Sequence, residues 1–81
     1  MTQRIELFGV LREAVGASEV SLDLETPVTV DEVLDHLQAT YPGVMPHLPR
    51  VACAVGDEMR SRQSVLTQDE TLVLLPPVSG G

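Results

Sequence analysis

The chain has 81 residues, enough for one small domain, and 43% of them are hydrophobic, as in a folded globule. Twelve acidic residues, five Arg and no Lys give a net charge of −7. Nucleic acid and anionic membrane repel such a chain, so proteins that bind either one through a basic surface are excluded and a basic protein partner is favoured.

The first segment predicts a half-buried strand over residues 3–8. Ile5 and Leu7 alternate with polar residues and face one way, whereas Phe8 faces the other way. Residues 10–15 are short and are followed by Gly16, a plausible helix C-cap, so they predict one or two helical turns.

A second alternating segment, residues 18–24, predicts the return strand of a wide hairpin. The main helix follows. Thr29 and Glu32 have the spacing of a capping box, in which each residue satisfies the other's backbone amide. One apolar stripe then repeats at helical spacing through Val30, Val33, Leu34, Leu37 and Tyr41, and Pro42-Gly43 ends the helix. A helix with one apolar stripe is expected to lie across a sheet.

The second half of the chain predicts short strands separated by turns. Residues 43–50 contain Gly and Pro and predict a loop with at most one 3₁₀ turn. The remaining elements are a strand at 51–55, a turn at Gly56-Asp57, a polar edge strand at 58–62, a turn at 67–70 and a last strand at 72–75. Pro76-Pro77 stops that strand, since proline cannot donate to a central ladder.

This order of elements predicts an α+β fold of the β-grasp, ubiquitin-like type. About four to five strands would form a mixed sheet crossed by one main helix, with the first and last strands parallel in the centre. Residues 1–76 would form the domain. Residues 77–81 would form a flexible, extended C-terminal tail with a reach of roughly 17 Å.

The ending Val78-Ser79-Gly80-Gly81 is the strongest functional signal. Two glycines without side chains can pass through a narrow channel and present the carboxylate of Gly81. A carboxylate is anionic at neutral pH and can attack the α-phosphate of ATP in another enzyme's site to give an acyl-adenylate, from which sulfur can displace AMP. The alternative is a frayed terminus that ends in glycine by chance.

Two stretches carry a family resemblance: LFGVLREAVG at residues 7–16 and LLPPVSGG at residues 74–81. The chain thereby resembles the MoaD family, the small sulfur-carrying subunits of molybdopterin synthase, within the ubiquitin-like ThiS/MoaD superfamily. The turn LTQDETL at residues 66–72 also fits. The chain departs from the family pattern at Gly9, which is smaller than usual, and at Gly56-Asp57, where many members have an Asn-containing turn.

The resemblance implies a carrier that is not an enzyme on its own and binds no cofactor or metal itself. A MoeB-like E1 adenylating enzyme would use ATP-Mg to activate Gly81, and a sulfurtransferase or cysteine desulfurase would supply sulfur for a Gly81 thiocarboxylate. A MoaE-like large subunit would then take the tail and pass the sulfur to a pterin precursor in molybdenum cofactor biosynthesis. Two small and two large subunits would form a heterotetramer.

A docking surface is predicted beside the tail. Phe8 and Leu75 should be neighbours on the exposed face of the sheet, with Met59 near them, and an exposed apolar patch of this kind marks an interaction site. The resemblance assigns these positions, together with Pro76, Pro77, Val78 and Ser79, to partner binding. If the first strand were one residue out of register, Phe8 would instead be buried.

Other reactive side chains have simpler interpretations. Cys53 is a lone cysteine in an apolar strand, which predicts a buried, inert thiol and a reducing, cytoplasmic location. His36 and His47 lack a third ligand, so no metal site is predicted. Arg60 and Arg62 suit either a polar edge strand or acidic groups on a partner.

Other functions remain open from the sequence. The chain could carry sulfur for thiamine, cysteine or tRNA thiolation. In different classes, it could be a β-grasp binding module with an unused tail, or a ubiquitin-like modifier conjugated to other proteins.

Overall fold

The elements follow the predicted order of hairpin, helix and strands in the computed structural model, which describes residues 2–67 and 69–77. They are β1 (Thr2–Leu7), α1 (Val10–Val15), β2 (Glu19–Asp23), β3 (Val28–Thr29), α2 (Val30–Thr40), β4 (Ala52–Val55), β5 (Glu58–Arg60), β6 (Val65–Leu66) and β7 (Thr71–Leu75). None of the helices in this described part is long and apolar enough to cross a membrane.

Five strands form one mixed sheet in the order β2-β1-β7-β4-β5. β1 and β7 pair in parallel, and the other neighbours pair antiparallel. The predicted β-grasp arrangement, with the first and last strands parallel inside the sheet, is therefore confirmed. β5 ends at Arg60, two residues before the predicted end of the polar edge strand.

Helix α2 begins at the predicted capping box. The Thr29 hydroxyl accepts from the Glu32 amide at 3.2 Å, and the Glu32 carboxylate accepts from the Thr29 amide at 3.2 Å. The apolar stripe is buried along Val30, Val33, Leu34 and Leu37, while Tyr41, beyond the last turn, is half-buried. The stripe covers one face of the sheet, and the opposite face carries no helix among the described residues.

The core is aliphatic, as the scarcity of aromatic residues predicts. Its fully buried large side chains include Ile5, Leu7, Leu11, Leu37, Leu66, Leu72 and Leu74. One polar residue joins them. Gln3 is fully buried, and its Nε2 donates to the carbonyls of Glu70 at 2.7 Å and Arg4 at 3.1 Å, which ties β1 to the turn before β7.

Two features of the connections were not predicted. β3 and β6 form a separate antiparallel pair, which holds the N-terminus of α2 through bonds from the Val30 and Asp31 amides to carbonyls of the 62–64 segment. The prediction of at most one 3₁₀ turn after α2 was wrong, since the loop contains two, at Pro42–Val44 and Leu48–Arg50. Each has a proline in its first turn, where the missing N–H removes no helical hydrogen bond.

Candidate functional site

The tail root, Pro76-Pro77, follows the C-terminal end of β7, which lies beside the C-terminal end of β1. β1 and β7 are parallel and Leu7 is in register with Leu74, so the residues after each strand emerge side by side. The predicted site residues Val78, Ser79, Gly80 and Gly81 lie outside the described residues.

Gly9 packs closely against the tail root. It has φ +55° and ψ −129°, a conformation that suits glycine because a side chain would be strained there. A Cβ at Gly9 would also lie 3.1 Å from Cγ of Pro76, closer than ordinary contact. The small residue at this position therefore lets the turn before α1 and the tail root pack against each other.

An apolar surface lies on the uncovered face of the sheet at the same edge. It consists of Phe8, Leu75 and Met59, whose exposed fractions are 44%, 37% and 62%, and of Val73, which is half-buried between them. We call these four residues the open-face patch. The predicted register of β1, with Leu7 buried and Phe8 exposed, is confirmed.

Strand pairing accounts for the shape of the open-face patch. Leu75 pairs with Ala52 on β4, and Ala54 pairs with Met59 on β5, so small alanines separate the larger side chains. From β1 to β5 there are three strand spacings of about 4.8 Å, which gives a width of about 14 Å. An exposed apolar surface of this width is suited to protein contact.

A cleft of about 770 Å³ opens beside the tail root. It is lined mainly by prolines and by residues of the α1 turn and the second 3₁₀ turn, namely Gly9, Val10, Pro46, His47, Pro49, Arg50, Pro76 and Pro77. Sequence reasoning missed this cleft because it forms only when three distant segments meet. The sequence feature that could have indicated the cleft is the set of four prolines that line it.

Arg60 and Arg62 have hydrogen-bond partners within the chain. Arg60 donates to the carboxylates of Glu58 at 2.6 Å and Glu70 at 2.8 Å, and Glu58 is the larger cause of its raised pKa. Arg62 donates to the backbone carbonyls of Leu48 and Val51 and so fastens the second 3₁₀ turn. These bonds account for both side chains as parts of the fold.

Glu70 closes the turn before β7. Its carboxylate accepts from the Thr67 amide at 2.9 Å and from Arg60, and these bonds, the amide first, lower the pKa of Glu70. The turn is held at one end by this carboxylate and at the other by the buried side chain of Gln3.

The remaining candidate side chains form no reactive centre. Cys53 is buried, and burial raises the pKa of its thiol against the smaller, opposite effect of Arg62. His36 is exposed and His47 is half-buried in the cleft. Within residues 2–67 and 69–77, no group of His, Cys, Asp and Glu side chains is placed to hold a metal ion.

Comparison with known proteins gives one family. The model of the ThiS family matches residues 5–81. The molybdopterin synthase sulfur carrier subunit of Arabidopsis thaliana is 26% identical over 78 residues, which cover 96% of this chain and 81% of that protein. The protein of the same name from Mycobacterium tuberculosis is 29% identical over 75 residues, with 91% and 90% covered.

A solved structure shows the same fold. SAMP1 from Haloferax volcanii, a small archaeal modifier protein, matches with a TM-score of 0.88 and 25% identity over the whole of both chains. The curated relatives are named as carrier subunits, in agreement with the prediction that such a chain is not an enzyme on its own.

Proposed function

The chain belongs to the ThiS family, and on that premise we propose that it is the sulfur carrier subunit of a molybdopterin synthase. The observation that carries the proposal is the placement of the tail root. Pro76-Pro77 follows the end of β7 beside the exposed Phe8 and Leu75, so a partner bound to this surface is placed next to the start of the tail. The names of the two curated relatives support this choice among sulfur carriers.

The chemistry would take place at the carboxylate of Gly81. An oxygen of that carboxylate attacks the α-phosphate of ATP-Mg in a MoeB-like adenylating enzyme, and pyrophosphate leaves. The terminal sulfur of a cysteine persulfide on a sulfurtransferase or cysteine desulfurase then attacks the acyl carbon, and AMP leaves. A thiol reductant cleaves the resulting acyl disulfide and returns the cysteine of the sulfur donor. The product is a thiocarboxylate at Gly81, whose sulfur is donated to the pterin precursor.

The large subunit would complete the active site. A MoaE-like partner would bind the open-face patch and take residues 78–81 into its own pocket. Because this chain has no Lys and a net charge of −7, the anionic thiocarboxylate would be met by Lys or Arg of the partner. Two carriers on a central dimer of large subunits would give the heterotetramer, and the cytoplasm would be its location.

A second candidate function comes from a different class. The likeness to SAMP1, at 25% identity over both whole chains, favours a modifier whose C-terminal carboxylate is joined to an amine of another protein. The first steps of the two functions are shared, since both need an adenylated Gly81. They differ in whether sulfur or an amine displaces AMP.

Intact-mass analysis after co-expression with the adenylating enzyme and a sulfur source tests the proposal. One oxygen-to-sulfur exchange at the C-terminus is expected, and adding the large subunit and a pterin precursor should give molybdopterin. Conjugates to cellular proteins without that exchange would favour the modifier. Transfer of sulfur only to a thiamine, cysteine or tRNA pathway would reject molybdopterin synthase but keep the sulfur carrier.

Deletion of Gly80 and Gly81 provides the matched variant. Thiocarboxylate formation should be abolished and the melting temperature unchanged, because the deleted residues follow the last strand and the proline stop. A Ser21→Ala variant, exposed on β2 and outside the predicted partner-binding residues, should keep both properties. Molybdopterin formation by the truncated chain would contradict the mechanism.

A further inference from the structure

The cleft beside the tail root has no role in the steps proposed above. Half of its lining residues are prolines, Pro46, Pro49, Pro76 and Pro77, and the lining also includes Val10 and the exposed Arg50. Val10 is 37% exposed, and Pro46 and Pro49 are exposed as well. At about 770 Å³ the cleft lies within the size range of pockets that hold a bound group.

Arg50 is a cation available to another molecule. Arg4 is paired with Glu19 at 3.3 Å, Arg60 and Arg62 are bonded within the chain, and Arg12 on α1 does not line the cleft. Arg50 has neither an ion pair nor a side-chain hydrogen bond in the part of the chain that the structure describes, although the sequence contains twelve carboxylates. An unpaired guanidinium in the lining of an apolar cleft selects a carboxylate next to an apolar group.

We infer that the cleft receives a segment of the tail-accepting partner in which an aromatic side chain adjoins an Asp or Glu. The aromatic ring would pack on the proline rings, as aromatic residues do where proline-rich segments are recognised. The carboxylate would accept from the guanidinium of Arg50. This inference rests on the proposed function, because the partner is the protein into which the tail is inserted.

Continuity with the tail supports this occupant. Pro76 and Pro77 are both cleft wall and tail root, so a protein that receives the following residues is brought directly over the cleft. A second copy of this chain is disfavoured as occupant because each copy carries a net charge of −7. One carboxylate bonded to Arg50 within an otherwise acidic surface would fix the orientation of the partner more than it would raise the overall affinity.

Binding measurements with charge-matched variants test the inference. Arg50→Glu and Arg4→Glu change the net charge equally, but Arg4 lies in the first half of β1 in an exposed ion pair and does not line the cleft. Arg50→Glu should weaken binding to the large subunit on the order of tenfold or more. Arg4→Glu and Arg50→Lys should each change it by less than about threefold.

Chemical-shift mapping of the ¹⁵N-labelled chain with the large subunit provides a readout that does not depend on sulfur transfer. Shifts at Val10, His47 and Arg50 are expected together with shifts at the open-face patch. The inference is overturned if Arg50→Glu and Arg4→Glu bind the large subunit equally, or if the wild type does not bind it. It is also overturned if no shifts occur at the cleft, or if the shifts depend only on the concentration of this chain.

The intact-mass assay distinguishes a failure of the docking inference from a failure of the proposed function. If the wild type forms the thiocarboxylate but Arg50→Glu binds normally, the docking inference fails and the proposed function stands. If the charge-swapped variant loses binding while the wild type gains no sulfur, the docking inference stands and the proposed function fails.

Discussion

Phe8→Ala and Leu7→Ala form a pair of neighbouring substitutions on opposite faces of β1. Phe8 is 44% exposed, so a little over half of the side chain is covered, whereas Leu7 is 1% exposed in the core. An aromatic side chain buries about 150–250 Å² when fully covered, so Phe8→Ala uncovers about 100 Å². At about 25 cal/mol per Å² the upper bound is about 2.5 kcal/mol.

The expected loss of stability for Phe8→Ala is smaller than this bound. Alanine keeps one methyl group and the unfolded chain already buries some surface, which lowers the loss to about 1–2 kcal/mol. Leu7→Ala leaves a cavity in the core and should cost about 2–5 kcal/mol. Urea unfolding followed by circular dichroism measures both values.

Phe8→Ala should weaken partner binding more than Leu7→Ala does, the reverse of their order in stability loss. Loss of an aromatic anchor from the open-face patch should weaken binding to the large subunit by about 2 kcal/mol, close to 30-fold in Kd. Folded Leu7→Ala protein should bind as the wild type does, because Leu7 faces the core. Calorimetric titration gives Kd for each variant. A stability loss above about 3 kcal/mol for Phe8→Ala with unchanged Kd would refute the docking role of this face.

Three further perturbations address the tail root and its supports. Gly9→Ala and Gly56→Ala both place a side chain at positive φ, which should cost about 1–2 kcal/mol for Gly56→Ala and about 1–3 kcal/mol for Gly9→Ala. Only Gly9→Ala should also shift the NMR signals of Pro76 and slow thiocarboxylate formation, since Gly56 has open space around it. The bonds to Glu70 lower its pKa, so its carboxylate stabilises the fold at neutral pH and this contribution is lost as the pH falls through the folded pKa. Glu70→Gln should therefore make the acid limb of stability, measured by urea unfolding across a pH series, less steep. Arg62→Ala leaves two backbone carbonyls without their cationic donor and should cost about 1.5–3 kcal/mol by thermal unfolding, and a loss within error would contradict the anchoring role of that side chain.

Elements with strong local signals could be predicted from the sequence. The Thr29 and Glu32 capping box and the apolar stripe of α2 need only neighbouring residues, and both are present as predicted. Strand alternation placed Leu7 in the core and Phe8 outside it for the same reason. A regular repeat is informative because burial on one face selects the same residue types at every turn or every second residue.

Features that depend on contacts between distant segments could not be predicted in this way. β3 and β6 have two residues each, too few for any alternation to be visible. Gln3 shares the buried face of β1 with Ile5 and Leu7, but its side-chain bond to the carbonyl of Glu70 joins residues 67 positions apart and has no local signal. From the sequence alone Arg62 could face solvent or a partner. Only the folded position of the second 3₁₀ turn brings backbone carbonyls within reach of its guanidinium.

Parallel pairing of β1 and β7 explains why the open-face patch and the tail root lie side by side. In an antiparallel pair, the residues after one strand would lie beside the start of the other, so Phe8 would be a strand length away from Leu75. Because the two strands run in the same direction and Leu7 is level with Leu74, Phe8, Gly9 and the tail root emerge together. A partner that binds this edge of the sheet is therefore already in position to receive the residues after Pro77, and binding of the domain reduces the entropy cost of placing the tail.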